Sequence, residues 1–160
     1  MKILVFLHGT LLMHQSGNGK SREERVQQSK QREESVLDYA NYIPIGGAVA
    51  KLNNWINQGA EILYLSSHKS INDVEKDKVV LEKYNFPKGR VLWRQGEEIY
   101  ANVAEKILPD ILIEDDCESI GEEQEMTITH IKPELKAKIK SIVVKEFEGI
   151  DHLPDNLDQL

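Results

Sequence analysis

The sequence predicts an α/β domain, a mainly parallel β-sheet covered by helices on both faces. Short apolar runs recur along the chain at Ile3–Leu7, Ile62–Leu65, Val91–Trp93, Ile111–Ile113 and Ile142–Val144. Unbroken runs of aliphatic residues are what strands look like when both faces of the sheet are buried. Between them lie stretches with apolar residues at three- and four-residue spacing, the mark of amphipathic helices. Strand and helix alternate, as parallel strands joined by right-handed crossovers require. A length of 160 residues suits one domain with a core of its own.

Each element has its own justification. Ile3–Leu7 follows Lys2 but stops at His8-Gly9 with no small-residue cleavage site after it, so a buried strand explains it better than a signal peptide. Residues 12–43 interrupt the alternation. Gly17-Asn18-Gly19 is a loop, and Lys20–Ser35 is dense in charges of both signs with Val26 its one aliphatic residue. That pattern reads as a solvated helix, or as a small insertion leaning over a site at the end of the first strand. Gly47–Asn57 places Val49, Leu52, Trp55 and Ile56 on one helical face. Ser70-Ile71-Asn72-Asp73 resembles a capping box and opens a second helix with Val74, Val80, Leu81 and Tyr84 inward. Glu97–Leu108 is a third helix, stopped by Pro109, and Pro133 starts a fourth that runs to about Lys140. Ser141–Phe147 completes the sheet at an edge where Lys145 blocks further pairing. Ile150 and Leu153 tuck against the body, and residues 155–160 are expected to fray.

Composition excludes several classes. With 20 Lys+Arg against 27 Asp+Glu the net charge is −7, the opposite of the basic footprint of a general nucleic-acid binder. No apolar run approaches the roughly 18–20 residues needed to span a bilayer. The single cysteine, Cys117, excludes an internal disulfide, and the expected location is the cytoplasm. Cys117 reads as a small residue packed beside the acids that precede it. His14, His130 and His152 share no ligand-like spacing with each other or with Cys117, so no zinc site is expected among them.

Chemistry is expected beyond the carboxyl ends of the strands, where open parallel sheets bind ligands. The runs are followed there by His8-Gly9-Thr10, Ser66-Ser67-His68-Lys69, Arg94-Gln95-Gly96 and Glu114-Asp115-Asp116. Hydroxyls, backbone amides and one guanidinium suit a phosphate or another oxyanion, with carboxylates for Mg²⁺. Asp115 and Asp116 are the strongest signal, since adjacent carboxylates repel each other and a cation relieves that. Gly19-Lys20-Ser21 matches the tail of a phosphate-binding P-loop, but His14 stands where the first glycine belongs, so that reading is rejected.

In their order these features resemble the haloacid dehalogenase-like (HAD) superfamily of phosphohydrolases. The family's opening strand and D-x-D-G-T-L motif fall on Phe6-Leu7-His8-Gly9-Thr10-Leu11. Its second motif falls on Ile62–Ser66 and its paired acids on Ile111–Asp116, and Ile43–Val49 resembles the segment entering the helix before the second strand. The resemblance spans residues 1–120. It implies a Rossmann-like three-layer sandwich in the family's strand order, with residues 12–43 as a minimal helical cap. The departures are sharp. Phe6 occupies the position of the aspartate that attacks phosphorus and His8 that of the general acid/base, so no aspartyl-phosphate can form. The phosphate-neutralising lysine has Arg94 as its counterpart, with Lys88 and Lys106 the other candidates.

Three functions are open on these grounds. In the first, the chain binds a phosphate-bearing small molecule or nucleotide through Gly9, Thr10, Ser66, Ser67 and Arg94, with Mg²⁺ on Asp115 and Asp116. In the second, His8 is the general base on a metal-held water in a phosphohydrolase. In the third, the site is vestigial and the charged 20–35 segment docks a partner.

Overall fold

The computed structural model describes all 160 residues. The elements are β1 (Lys2–Phe6), β2 (Leu12–Met13), α1 (Arg22–Lys30), α2 (Glu34–Leu37), β3 (Ile43–Pro44), α3 (Ala48–Asn57), β4 (Glu61–Leu65), α4 (Ile71–Lys83), β5 (Arg90–Leu92), α5 (Tyr100–Ile107), β6 (Ile111–Asp115), α6 (Pro133–Lys136) and β7 (Lys140–Val144). Five strands form one sheet in the order β5-β4-β1-β6-β7, every neighbouring pair parallel. The α/β class expected from the sequence is the class found.

Strand alternation sorts the core into layers. Ile3, Val5, Ile62, Tyr64, Ile111 and Ile113 face α3 and α4, packing on Leu52, Trp55, Val80 and Leu81. Leu4, Leu63, Leu65 and Leu112 face the other way, onto Ala101, Val103 and Ala104 of α5. Because β1 lies between β4 and β6, the strand order reverses there, and the crevice outside the carboxyl ends of these strands is where the topology makes room for a ligand. No helix is long and apolar enough to cross a membrane.

Residues 12–43 leave the sheet and return through the antiparallel pair β2–β3, with Leu12 opposite Pro44 and Met13 opposite Ile43. The charged stretch forms two helices rather than one, broken at Arg32 with its φ of 51°. Ser21 opens α1 with a full capping box, its hydroxyl accepting from Glu24 N and the Glu24 carboxylate accepting from Ser21 N.

Several boundaries differ from expectation. The third helix starts at Tyr100, not Glu97, because Gly96 takes a φ of 57° and the Glu98 carboxylate accepts from Gln95 N, turning the chain first. The fourth is a single turn, Pro133–Lys136, because Lys140 is already paired with Ile111 of β6.

The final residues do not fray. Leu157 and Leu160 are buried in the main core, and Leu157 N donates to Gln58 Oε1 at 2.9 Å. Upstream, Trp55 Nε1 donates to Pro154 O at 3.0 Å, Lys51 Nζ to Leu153 O at 2.7 Å, and Gly47 N to both Asp151 carboxylate oxygens at 2.8 and 2.9 Å. Two buried leucines outweigh the ordering entropy of a short tail, since truncating a buried Leu costs about 2–5 kcal/mol. Deleting residues 155–160 is therefore expected to lower the melting temperature by roughly ten degrees. An unchanged melting curve in calorimetry would assign the tail no such role.

Candidate functional site

The carboxyl ends of β1, β4 and β6, the segment after β7 and the 12–43 excursion enclose a cavity of about 300 Å³. His8, Gly9, Ser67, Asp115, Cys117 and Glu146 line it, with Ser29, Val36, Tyr39 and Tyr42 contributed by the excursion. No lysine or arginine lines it.

On one side stands a buried polar cluster. His8 Nε2 lies 2.9 Å from Asp77 Oδ1 and its Nδ1 2.5 Å from Ser67 Oγ. Ser66 Oγ donates to Asp77 Oδ2 at 2.6 Å and accepts from His68 N at 3.1 Å. His68 Nε2 lies 3.6 Å from Asp77 Oδ1. Burial pushes the Asp77 carboxyl up, but the His8 ring, the hydrogen bonds from His8 and Ser66, and His68 together hold it below its ordinary value. With Asp77 ionised, His8 Nε2 donates to it and Nδ1 accepts from the Ser67 hydroxyl. Burial, reinforced by the His8 ring, lowers His68.

On the other side are carboxylates. Asp115 Oδ2 accepts from Thr10 Oγ1 at 2.9 Å and Oδ1 from Cys117 N at 3.0 Å. Glu146 accepts from Ser119 N at 2.6 Å and Ser119 Oγ at 2.7 Å. Burial, then the nearby Glu146, pushes Asp115 up to about 7, and burial likewise raises Glu146. Glu114, one residue from Asp115, points to the opposite face, where it accepts from Thr127 N and Ile128 N at 2.7 and 2.9 Å.

Not all of the residues singled out in the sequence meet. His8, Gly9, Ser67 and Asp115 share the cavity. Thr10 and Ser66 are fully buried behind it, Thr10 bracing Asp115 and Ser66 bracing Asp77. Arg94 stays outside it. Its Nη2 donates to Ser67 O at 2.8 Å, and its guanidinium lies 3.9 Å from the centre of the Tyr100 ring, so it steadies the turn that carries Ser67. Lys106 pairs with Glu98, and Lys88 is exposed ahead of β5, at the opposite edge of the sheet. Asp116 turns away from Asp115. It accepts from Glu146 N at 3.0 Å, has Lys145 Nζ at 3.3 Å, and borders a separate hollow with Arg22 and Glu118.

The donor set fits Mg²⁺ at Asp115 with Glu146 rather than at Asp115 with Asp116. Carboxylates facing one cavity that no lysine or arginine lines are the hard oxygen donors that ion takes, whereas the Asp116 carboxylate lies outside the cavity beside the Lys145 ammonium. Sequence reasoning did not single out Asp77, Glu146, Tyr39 or Tyr42 as site residues, and it placed His68 at the end of the second strand without giving it a role. For Asp77 a signal exists, because 74, 77 and 81 share the buried face of α4, and a lone acid at such a position is paired or functional.

No family model matches this sequence, and no curated protein matches it. Solved structures do match in fold. A chain from the structure of a Pnkp1/Rnl/Hen1 complex gives a TM-score of 0.55 at 15% identity over 91% of this chain, which spans 46% of that one. The class C acid phosphatase from Bacillus anthracis, solved with tungstate bound, gives a TM-score of 0.58 at 15% identity, covering 92% of this chain and 68% of that one. At that identity the likeness carries the fold, a mostly parallel five-stranded α/β architecture like that of the phosphatase.

Proposed function

We propose that the cavity takes a phosphate-bearing small molecule or nucleotide together with Mg²⁺, and that the chain is a haloacid dehalogenase-like protein working without an aspartyl-phosphate. The observation that carries this reading is the pair Asp115 and Glu146, facing a cavity that no lysine or arginine lines. A phosphate and two carboxylates repel unless a divalent cation lies between them, and Mg²⁺ is usually held by one or two carboxylates plus phosphate oxygens. The fold likeness to an acid phosphatase supports the same ligand class. Asp115, braced by Thr10 and Cys117 N, and Glu146, braced by Ser119, are the fixed donors. Ser67 offers a hydroxyl, and Tyr39 and Tyr42 offer aromatic faces for a base or sugar. In this reading residues 12–43 are a minimal cap.

The second reading, His8 as general base, is favoured by one observation, the buried Asp77 carboxylate that orients its ring. It requires substrate or water to replace Ser67 at Nδ1.

Thermal unfolding with Mg²⁺, inorganic phosphate and adenosine monophosphate, singly and in pairs, tests the proposal. The phosphate-bearing probes are expected to stabilise only when Mg²⁺ is present, by about 2.7 kcal/mol at a hundredfold excess over Kd. Glu146→Gln is expected to shrink that shift. Phosphate release from p-nitrophenyl phosphate that is lost in His8→Gln would move the reading to hydrolysis by His8. A cooperative transition indifferent to every combination would overturn the proposal and leave a non-catalytic interaction module.

A further inference from the structure

We propose that His8 Nε2, His68 Nε2 and Asp77 Oδ1 form a binding site for one divalent d-block cation of the Zn²⁺ class, separate from the carboxylate pair across the cavity. One ligand atom from each of the three residues lies within 4.8 Å of the other two. Asp77 Oδ1 is 2.9 Å from His8 Nε2 and 3.6 Å from His68 Nε2. In a tetrahedral site with metal–donor bonds of about 2.0–2.1 Å, donors stand roughly 3.3 Å apart. The observed spacings straddle that value, so modest rotation of the two rings closes the set.

His68 supplies an independent observation. Its side chain is 10% exposed, and Nε2 is buried without a hydrogen-bond partner while pointing at the Asp77 carboxylate. A buried polar atom left unpaired costs about 1–3 kcal/mol, and a metal ion at this point would satisfy it.

The surroundings match what such a site needs. Metal-bound histidines hold their orientation by donating the second ring N–H to a neighbour. With a metal on Nε2, His8 Nδ1–H would donate to Ser67 Oγ, which already stands 2.5 Å away. The second oxygen of Asp77 is held by Ser66 Oγ, and the Tyr39 ring, with centroids 4.4 Å from His68 and 5.1 Å from His8, closes one side. Two imidazoles and one carboxylate select a borderline cation over Mg²⁺. Three protein donors leave a fourth position for water.

The inference goes beyond the phosphate reading and stands or falls without it, since Asp115 and Glu146 take no part. It competes with His8 as general base, because a metal on Nε2 occupies the ring.

The test is Co²⁺ titration of the full chain followed by visible absorption, with Zn²⁺ counted by equilibrium dialysis. The expected result is one equivalent of Zn²⁺ per chain and a Co²⁺ spectrum of tetrahedral intensity. His68→Ala should abolish the spectrum, while Ser67→Ala should keep its shape and weaken affinity by about 10- to 100-fold. His68→Asn, checked by circular dichroism, covers the case in which His68→Ala fails to fold. No binding by the folded native chain, or binding undiminished in the folded His68 variants, overturns the site. The Mg²⁺ and phosphate response, measured on the native chain and the His68 variants, reports on the other proposal alone.

Discussion

Asp115→Asn is expected to make the cation-free protein more stable at about pH 8, although the substitution removes a charge from a cavity that looks built for chemistry. The reason is proton linkage. Asp115 is 4% exposed and titrates near 7 in the folded chain, against 3.8 for the ordinary side chain. Between those values the folded state holds a proton that the unfolded state has lost, so stability falls as pH rises from about 4 to about 7 and stays low above that. One pKa unit corresponds to about 1.4 kcal/mol, so the loss is on the order of a few kcal/mol, shared with Glu146. Asparagine presents the neutral shape at every pH. The two unfolding curves should coincide near pH 4 and separate toward pH 8, with the variant above. Adding Mg²⁺ should reverse the order, since the native chain gains a ligand and the variant does not. A native stability that stays flat across this range would sink the argument.

Among the single substitutions, Gly9→Ala carries the largest expected loss. Gly9 has a φ of 86°, in the left-handed region that costs an L-residue roughly 1–2 kcal/mol. A Cβ there would lie 2.7 Å from Asp115 Oδ2. That oxygen cannot retreat without giving up Thr10, and the backbone cannot retreat either, because Phe147 N donates to Gly9 O at 2.7 Å and Gly9 N to Leu12 O at 2.9 Å. Breaking one of these buried bonds adds about 1–3 kcal/mol, and at about 2–4 °C per kcal/mol the melting temperature should drop by roughly ten degrees. Gly19→Ala is the control. Gly19 has a similar φ of 73° but nothing within 4 Å of its Cβ position, so it should show the backbone cost alone. Equal losses in the two variants would mean that contact with Asp115 contributes nothing.

The sheet was legible because burial on both faces writes itself into the chain as contiguous apolar residues. Ile3–Val5, Ile62–Leu65 and Ile111–Ile113 are buried end to end, and the polar residues after each run could be placed on one edge from topology alone. Side-chain direction was not legible. Asp115 and Asp116 are neighbours in sequence, and only the strand's alternation and the turn after it decide that one enters the cavity and the other leaves it. Asp77 was hidden for a different reason. It lies in Asn72-Asp73-Val74-Glu75-Lys76-Asp77-Lys78, where an inward acid looks like its solvated neighbours until the partners on β1 and β4 are in place. The end of the chain misled because its polar residues suggest fraying, whereas Leu157 and Leu160 decide the matter.

The same tail bears on how the protein comes to exist in a cell. Trp55 is fully buried, and its indole N–H is satisfied by the carbonyl of Pro154, 99 residues further along the chain. While the chain grows from its amino end, β1, α3 and β4 can emerge and collapse, yet the floor beneath Trp55 does not exist until residues 154–160 have been made. The nascent domain would therefore pass through a stage with a large aromatic surface uncovered, the kind of intermediate that holding chaperones recognise. Covering Trp55 becomes, for this fold, a late step of folding.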